Sequence, residues 1–265
     1  MEHDAKGREQ PLRLVVDAGI AWLTLERPRA MNAIDEPMLA ELPRALDQIA
    51  SDPAVKAAVV TGAGDAFCVG LDIGLLGRAF ADHAYFRDVL ERLKEILLTI
   101  EGLPVPVIAA VNGIARAGGF ELLLACDLVL VAEEARLGDT HLAYGIVPGG
   151  GAAARAPRKL GPQRARELLL TGRWMSGIES VEAGLALRAV PRVRLDGEAR
   201  ALASSFVPLS RSALAHTKAA VLEGESLPLR PALDTETERF MRHLASPGSE
   251  EGYRAFVERR EPRWP

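Results

Sequence analysis

Apolar residues recur along this chain with two different periods, and the changes between them divide it into elements. Short apolar runs between turn residues are typical of strands, whereas apolar spacings of three and four are typical of helices. We therefore predict a β-hairpin with its turn at Asp17–Gly19, followed by alternating strands and helices. The next predicted strands cover 55–62, 104–113 and 128–133, and the predicted helices cover 36–53, 82–101 and 120–127.

Proline and glycine mark the interruptions in the second half of the chain. Residues 152–172 predict helices broken at Pro157 and Pro162, and residues 176–190 predict a short helix, a turn and the last strand. From about residue 198 onward the pattern is helical throughout. The predicted breaks in that part are at Pro208, Pro228, Pro231 and Pro247.

The alternation of strand and helix over residues 11–195 predicts an α/β protein with mostly parallel strands. We expect three parts: a flexible tail over 1–10, a core over 11–197 and a helical region over 198–265. The sequence contains no visible internal repeat.

Composition narrows the possible functions. The 265 residues are 48% hydrophobic and 26% charged, which suits a soluble protein with a full core. A net charge of −4 argues against nucleic acid or an acidic membrane as partner. Cys68 and Cys126 form neither a metal pattern nor a disulfide framework, so we expect buried free thiols in a reducing cytoplasm. The polar first ten residues and the lack of a long apolar run predict neither a secretory signal nor a membrane span.

The stretch 106–151 carries the candidate chemistry. At Gly118-Gly119 a predicted strand ends and a helix begins, so the free N–H groups of the first helical turn can polarise an oxygen atom. Glu121 follows in an otherwise apolar run, where a carboxylate is costly to bury without partners. Glu121 is either a carboxylate in the first helical turn that interacts favourably with the helix dipole, or an acid/base group whose pKa is shifted by burial.

Two other loops can complete such a site. Loops that follow the carboxyl ends of strands gather at one edge of an α/β sheet, so 66–72 can supply a second N–H donor to an oxyanion hole. The glycine-rich segment 138–151 keeps the backbone accessible nearby. In it, Asp139 or Thr140 can cap a short helix, and His141 is either structural or a second acid/base group.

Together these segments resemble the enoyl-CoA hydratase/isomerase family, also called the crotonase superfamily. The resemblance covers nearly the whole chain. Its motifs are ERPRAMNAID, AFCVGLDI, VIAAVNGIARAGGFELLLACDLVLVAE, LGDTHLAYGIVPGGG and LLLTGRWMSGIESVEAGL, of which the third is the most specific. The resemblance implies a crotonase-like α/β fold with a spiral core of ββα units. It also implies a C-terminal helical oligomerisation region that forms trimers, often paired into hexamers.

The resemblance further implies an acyl thioester of coenzyme A as substrate, with no other cofactor and no metal. The thioester oxygen would lie between the N–H groups of Leu71 and Gly118, which stabilise an enolate-like anion. Glu121 falls at an acid/base position, and Gly149 falls at a glycine that helps to position water. The residues implied to bind coenzyme A or to complete the pocket, from the same or a neighbouring subunit, are Arg29, Ala30, Val69, Asp72, Ile73, Lys218 and Phe256.

This sequence departs from the family at two positions. Hydratases of the family use two glutamates, and the second falls at His141. Glu121 and His141 can still divide the proton transfers of hydration, because imidazole can act as base and imidazolium as acid. At Arg116 the family usually has a small or apolar residue. The guanidinium binds an acidic acyl group or a coenzyme A phosphate, or it faces away from the pocket.

The favoured function is therefore hydration of 2-enoyl-CoA to 3-hydroxyacyl-CoA. One alternative is double-bond isomerisation, and another is C–C-bond hydrolysis that relies on His141. A subgroup of C–C hydrolases has a histidine at this point and shares the GIVPG segment, but its partner aspartate would fall at Gly150. The third alternative is a relative that binds acyl-CoA without turning it over.

Overall fold

Ten strands form two sheets in the computed structural model, which describes residues 10–246 and 248–264. The larger sheet contains β1 (Leu12–Asp17), β2 (Ile20–Leu25), β3 (Ala57–Gly62), β5 (Val107–Val111), β7 (Leu128–Ala132) and β10 (Arg188–Val190). The smaller sheet contains β4 (Ala66–Cys68), β6 (Ile114–Arg116), β8 (Arg136–Gly138) and β9 (Met175–Ser176). Their orders are β1-β2-β3-β5-β7-β10 and β4-β6-β8-β9. Only the outer pairs β1–β2 and β8–β9 are antiparallel within the described residues.

Eleven α-helices surround these sheets within the described residues. They are α1 (Glu36–Ser51), α2 (Ile73–Ala81), α3 (His83–Gly102), α4 (Gly118–Ala125), α5 (Ala152–Leu160), α6 (Pro162–Thr171), α7 (Gly177–Glu182), α8 (Arg192–Ser204), α9 (Arg211–Gly224), α10 (Leu229–Leu244) and α11 (Ser249–Glu258). None of the helices in this part of the chain is long and apolar enough to span a bilayer.

Successive strand pairs repeat one path through the core. In β3–β4, β5–β6 and β7–β8 the first strand joins the larger sheet and the second joins the smaller one, and a helix follows each pair. The expected spiral of ββα units is thereby confirmed. No repeat is visible in the sequence because the second strand of each pair is only three residues long.

The apolar pattern explains why the helices cover the larger sheet. All five residues of β5 are fully buried, as expected for a central parallel strand that is covered on both faces. Helix α1 begins at its cap Asp35, whose carboxylate accepts the Met38 N–H at 2.9 Å. Its buried residues, Met38, Leu39, Leu42, Ala45, Leu46 and Ile49, form one stripe against the core.

The predicted hairpin and the predicted longer helices and strands are present, but several short elements are not where we expected them. The loop predicted over 62–74 contains β4 and the start of α2, and the connections around 114–116 and 136–138 contain β6 and β8. Strands of three residues are too short to show a period of two.

Two of the predicted proline breaks are wrong. Pro157 lies inside α5, where burial of Ala152, Ala156 and Leu160 holds the helix together despite the missing N–H. Pro231 is the third residue of α10, and an N–H at that position has no intrahelical acceptor to lose. Pro247 lies outside the described residues, as does most of the predicted tail.

The C-terminal helical region separates from the core at a later residue than predicted. The boundary at 197/198 falls inside α8, which packs on the larger sheet through the buried residues Leu195, Ala199 and Ala203 and therefore belongs to the core. The pair α9–α10 has no fully buried residue in this chain. Large apolar side chains remain exposed on α10 and α11, among them Leu229, Leu233, Phe240, Tyr253 and Phe256.

Candidate active site

Two backbone turns lie against each other at the ends of β4 and β6. Gly70, with φ of 91°, precedes Leu71, and Gly118 is the first residue of α4. A Cβ atom at position 70 would lie 2.8 Å from the Gly118 nitrogen, and one at position 118 would lie 3.7 Å from the Leu71 nitrogen. The contact therefore requires glycine, and it brings the two N–H groups predicted to form an oxyanion hole close together.

Neither of these N–H groups donates to a protein acceptor in the described part of the chain. The strand-like contact of Leu71 with Ile34 uses the groups on either side of it: Ile34 N–H donates to Gly70 O, and Asp72 N–H donates to Ile34 O. Ala117, just before Gly118, has φ of 50°. A non-glycine residue in this region is strained, and such strain is concentrated at functional sites.

Glu121 lies in the first turn of α4 and is 2% exposed. Its Oε1 accepts the N–H groups of Gly150 at 2.8 Å and Ala152 at 3.1 Å, the latter at the N-terminus of α5. Burial raises the pKa of Glu121, although the Ala152 N–H and the charge of His141 act in the opposite direction. Oε1 is therefore committed to the backbone, and Oε2 has no protein donor in the described chain.

His141 forms a pair with Asp139. Its Nδ1 lies 3.0 Å from Oδ2 of Asp139, whose side chain is 1% exposed, while the His141 side chain is 17% exposed. An acceptor at Nδ1 favours the neutral tautomer that carries its proton there, and Nε2 has no protein partner in the described part of the chain. Burial lowers the pKa of His141, but the hydrogen bond and charge of Asp139, together with Glu121, outweigh it, so the net shift is upward.

Sequence reasoning assigned Asp139 only a possible capping role. Asp139 does act at the start of the short 3-10 turn His141–Tyr144, because its Oδ1 accepts the His141 N–H at 3.4 Å, whereas Thr140, with φ of 53°, makes no side-chain cap. The left-handed conformation of Thr140 turns the chain between the two members of the pair. An acidic residue two positions before a histidine is the only signal that the sequence carries for this pair.

Gly150 lies where the partner aspartate of the C–C hydrolase subgroup would fall. A Cβ atom there would overlap with Oε2 of Glu121 and would lie 3.0 Å from a methyl of Leu93. A side chain at this position fits only if the carboxylate of Glu121 moves, and Gly150 itself offers no acid for the role of the partner aspartate. Gly150 instead contributes its N–H to Glu121. The neighbouring Gly149 is exposed, and its predicted role in positioning water stays a prediction.

The residues predicted to bind coenzyme A lie around the β4–α2 connection. The 3-10 turn Pro28–Ala30 carries exposed Arg29, and Ile73 at the start of α2 is 85% exposed. Val69 is half-buried on the loop between β4 and Leu71. Asp72 is already engaged, because its carboxylate caps α2 through Gly74 N–H and pairs with Arg27.

Arg27 is a functional candidate that sequence reasoning missed. Its guanidinium pairs with Asp35 at 3.1 Å and with Asp72 at 3.2 Å, and it donates to the carbonyl of Ala33. It therefore ties the 28–35 loop to the residue that follows Leu71. Buried Asn32 supports the same loop by accepting the Arg27 N–H and donating to Ala63 O and Ala66 O.

The structure does not bring Lys218 to the site. Its ammonium group contacts Asp127 at 2.7 Å, Ile100 O at 3.2 Å and Val105 O at 3.1 Å. Three acceptors use all three of its donors, and its side chain is only 8% exposed. Lys218 thus fastens α9 to the core. Phe256 is 84% exposed on α11, so its place in a pocket stays a prediction.

The two cysteines are free and fully buried, as expected. Burial raises the pKa of both the Cys68 and the Cys126 thiols to about 12, so neither is a reactive thiolate at neutral pH. Among the described residues, no group of three or more His, Cys, Asp or Glu side chains is arranged to hold a metal ion.

A ββα spiral with two facing backbone turns beside a buried carboxylate defines a crotonase-type protein. The family model for enoyl-CoA hydratase/isomerase matches residues 16–265, and the chain belongs to this family of acyl-CoA enzymes. It is 34% identical over 249 residues to a probable enoyl-CoA hydratase of Mycobacterium tuberculosis, which covers 94% of this chain and 95% of that one. It is also 34% identical over 243 residues to a crotonyl-CoA hydratase of Syntrophomonas wolfei, covering 91% and 93%. A crystal structure of an enoyl-CoA hydratase from Bacillus anthracis matches with a TM-score of 0.90 at 34% identity, covering 96% and 99%.

Proposed function

We propose that this protein adds water to 2-enoyl-CoA thioesters to form 3-hydroxyacyl-CoA. One observation carries the proposal: the buried carboxylate of Glu121 is held by two backbone N–H groups in the helical turn that begins at Gly118, and the Asp139–His141 pair provides a second ionisable group. Hydration needs two proton-transfer groups, and the pair supplies the second one. Relatives named as hydratases, similar over nearly the full length, support the same reaction.

The thioester oxygen accepts hydrogen bonds from the N–H groups of Leu71 and Gly118. When water attacks the β-carbon, negative charge moves through the α-carbon onto this oxygen, which gives an enolate. Donors that are already in place stabilise the enolate more than the neutral thioester, by a few kcal/mol each. This is the step that the close contact of the two turns supports.

Glu121 and His141 divide the two proton transfers. Oε2 of Glu121 holds the attacking water and takes its proton, while Oε1 stays on the backbone donors. The upward shift in the pKa of His141 favours imidazolium near neutral pH, so Nε2 can deliver a proton to the α-carbon. Asp139 positions the ring through Nδ1.

Other parts of the proposal rest on the family resemblance. Arg29, Ala30, Val69 and Ile73 bind the nucleotide end of coenzyme A, which enters as part of the substrate, and no additional cofactor is required. The exposed apolar faces of α10 and α11 support assembly into a trimer or hexamer. The cytoplasmic location stays a prediction.

A hydration assay with crotonyl-CoA and longer 2-enoyl-CoA thioesters tests the proposal. Glu121→Gln keeps the size and the hydrogen bonding of the side chain but removes the base, so kcat should fall about 10²–10⁴-fold. Glu167→Gln on the exposed face of α6 is the matched control, and its kcat should equal that of the wild type. No turnover by the wild type, or full turnover by Glu121→Gln, would refute hydration.

Isomerisation of 3-enoyl-CoA to 2-enoyl-CoA is the second candidate, because a single acid/base group can shuttle the one proton that it moves. The Asp139–His141 pair favours isomerisation, because His141 alone could then carry out the proton transfer. Turnover of 3-enoyl-CoA that His141→Ala abolishes and Glu121→Gln leaves unchanged would support isomerisation. Tight acyl-CoA binding in calorimetry without any turnover would instead indicate a binding protein.

A further inference from the structure

Arg116 ends strand β6 beside the candidate oxyanion turn. It pairs in register with Gly138, and Gly118 follows it after a single residue. Its neighbour Ala115 is fully buried in the core, so the alternation of a strand puts the Arg116 side chain on the opposite face. There it is half-buried.

The guanidinium of Arg116 has no partner in the described part of the chain. It makes no hydrogen bond, ion pair or aromatic contact there. Each of the other half-buried arginines of that part has at least one protein acceptor; these are Arg27, Arg92, Arg155, Arg173, Arg211 and Arg239. Holding a cation partly out of water without a counter-charge is unfavourable, which indicates that the counter-charge arrives with a ligand.

The acids closest to the site cannot fill this role. Glu121 is held by the N–H groups of Gly150 and Ala152, and Asp139 is held by His141. Arg116 pairs in register with Gly138, the residue directly before Asp139, so the cation lies toward the proton-transfer end of the site. The exposed candidates for the nucleotide, Arg29 and Ile73, lie on other segments, the 3-10 turn Pro28–Ala30 and the start of α2.

We propose that Arg116 binds a carboxylate on the acyl group, so that the preferred substrates are acyl-CoA thioesters with a second, free carboxyl group. This rests on the proposed acyl-CoA function. A guanidinium matches a carboxylate with two parallel hydrogen bonds, and a free carboxyl group gives an otherwise uncharged acyl chain its negative charge. The phosphates of coenzyme A lie at the other end of the long pantetheine arm.

The bound carboxylate would also affect catalysis. It neutralises the cation that disfavours imidazolium, so His141 holds its proton more firmly in the complex. The enzyme would then have its proton donor ready when the matching substrate is bound. With an uncharged acyl group, the guanidinium of Arg116 would have no counter-charge.

The experiment compares crotonyl-CoA with its carboxylated analogue 4-carboxybut-2-enoyl-CoA. For the wild type we expect kcat/KM to be at least ~10-fold higher for the carboxylated thioester. Arg116→Met, which keeps length without charge, should lower kcat/KM about 10–100-fold for that substrate and leave crotonyl-CoA unchanged or improved. Arg116→Lys should retain part of the preference, which shows that the altered enzyme still folds.

Other results would overturn the proposal. A wild type with no preference, or an Arg116→Met variant that loses both substrates equally, would assign Arg116 to coenzyme A or to the fold. Equal losses that vanish with pantetheine thioesters, which lack the nucleotide phosphates, would identify a phosphate contact. If neither thioester is hydrated, calorimetry can compare the affinities for butanoyl-CoA and 4-carboxybutanoyl-CoA. Tighter binding of 4-carboxybutanoyl-CoA that Arg116→Met removes would support carboxylate binding. Equal affinities of the wild type for the two thioesters would refute it.

Discussion

The carboxylate of Glu121 fills the space directly in front of Gly150. The Gly150 N–H donates to Oε1 at 2.8 Å, and a Cβ atom on the same residue would overlap with Oε2. The candidate base is therefore held by a residue 29 positions away in sequence, and it stays in place only while that residue has no side chain.

Gly150→Ala should impair catalysis because the carboxylate must move away from the new methyl group. Displacements of about 1 Å at a reacting group cost about 100-fold in rate, and overpacking costs about 1–3 kcal/mol of stability. We expect kcat for crotonyl-CoA to fall about 100-fold while the protein still folds in circular dichroism. Gly197→Ala, in exposed α8 backbone with open space around it, is the control and should keep full activity. Wild-type kcat in Gly150→Ala would mean that the position of Glu121 is unimportant.

Asp139→Asn should shift the pH profile as well as lower activity. The hydrogen bond and charge of Asp139 raise the pKa of His141 against burial, so their loss lets that pKa fall. Imidazolium is then lost at a lower pH, and the basic limb of kcat/KM should move downward from its wild-type position. Asp47→Asn on the exposed face of α1 should leave the profile unchanged. A uniform loss of kcat with an unmoved basic limb would limit Asp139 to a structural role.

Much of the fold and part of the site are predictable because they depend on local patterns. The long helices and buried strands carry clear periods, and the two turns carry glycine at the positions where backbone contacts backbone, such as Gly70 and Gly118. The family resemblance added what those patterns do not contain, namely the prediction that the two turns face one substrate atom.

The rest of the site depends on contacts that no local pattern reveals. Arg27 meets Asp72 across 45 positions of sequence, and Lys218 on α9 meets Asp127, which lies between α4 and β7. Matching Lys218 to a substrate role failed because a lysine's function depends on which acceptors surround its ammonium group. His141 was recognised as a departure from the family, but its pairing with Asp139 required the left-handed turn at Thr140.

Arg27→Lys should weaken the oxyanion site without touching the substrate. A lysine cannot pair with Asp35 and Asp72 at once while donating to Ala33 O, so the 28–35 loop and the Leu71 turn lose their tie. We expect kcat for crotonyl-CoA to fall about 10-fold, less than the loss of a complete oxyanion donor. Arg44→Lys, in an exposed pair with Glu41, is the matched control and should change neither kcat nor the melting temperature. An unchanged kcat in Arg27→Lys would show that the Leu71 N–H is held by other contacts.

His216 should make the α9–α10 pair sensitive to acid. Burial lowers its pKa below the ordinary 6.5, and the charges of His243, Arg239 and Arg242 on α10 act in the same direction. Between the lowered pKa and 6.5 the unfolded chain binds more protons than the folded one, so stability falls as the pH drops through this window. The melting temperature of the wild type should therefore decrease more steeply from pH 7.5 to 5.5 than that of His216→Gln. His83→Gln, at the exposed start of α3, should follow the wild type. Parallel curves for the wild type and His216→Gln would show that protonation of His216 does not limit the stability of this pair.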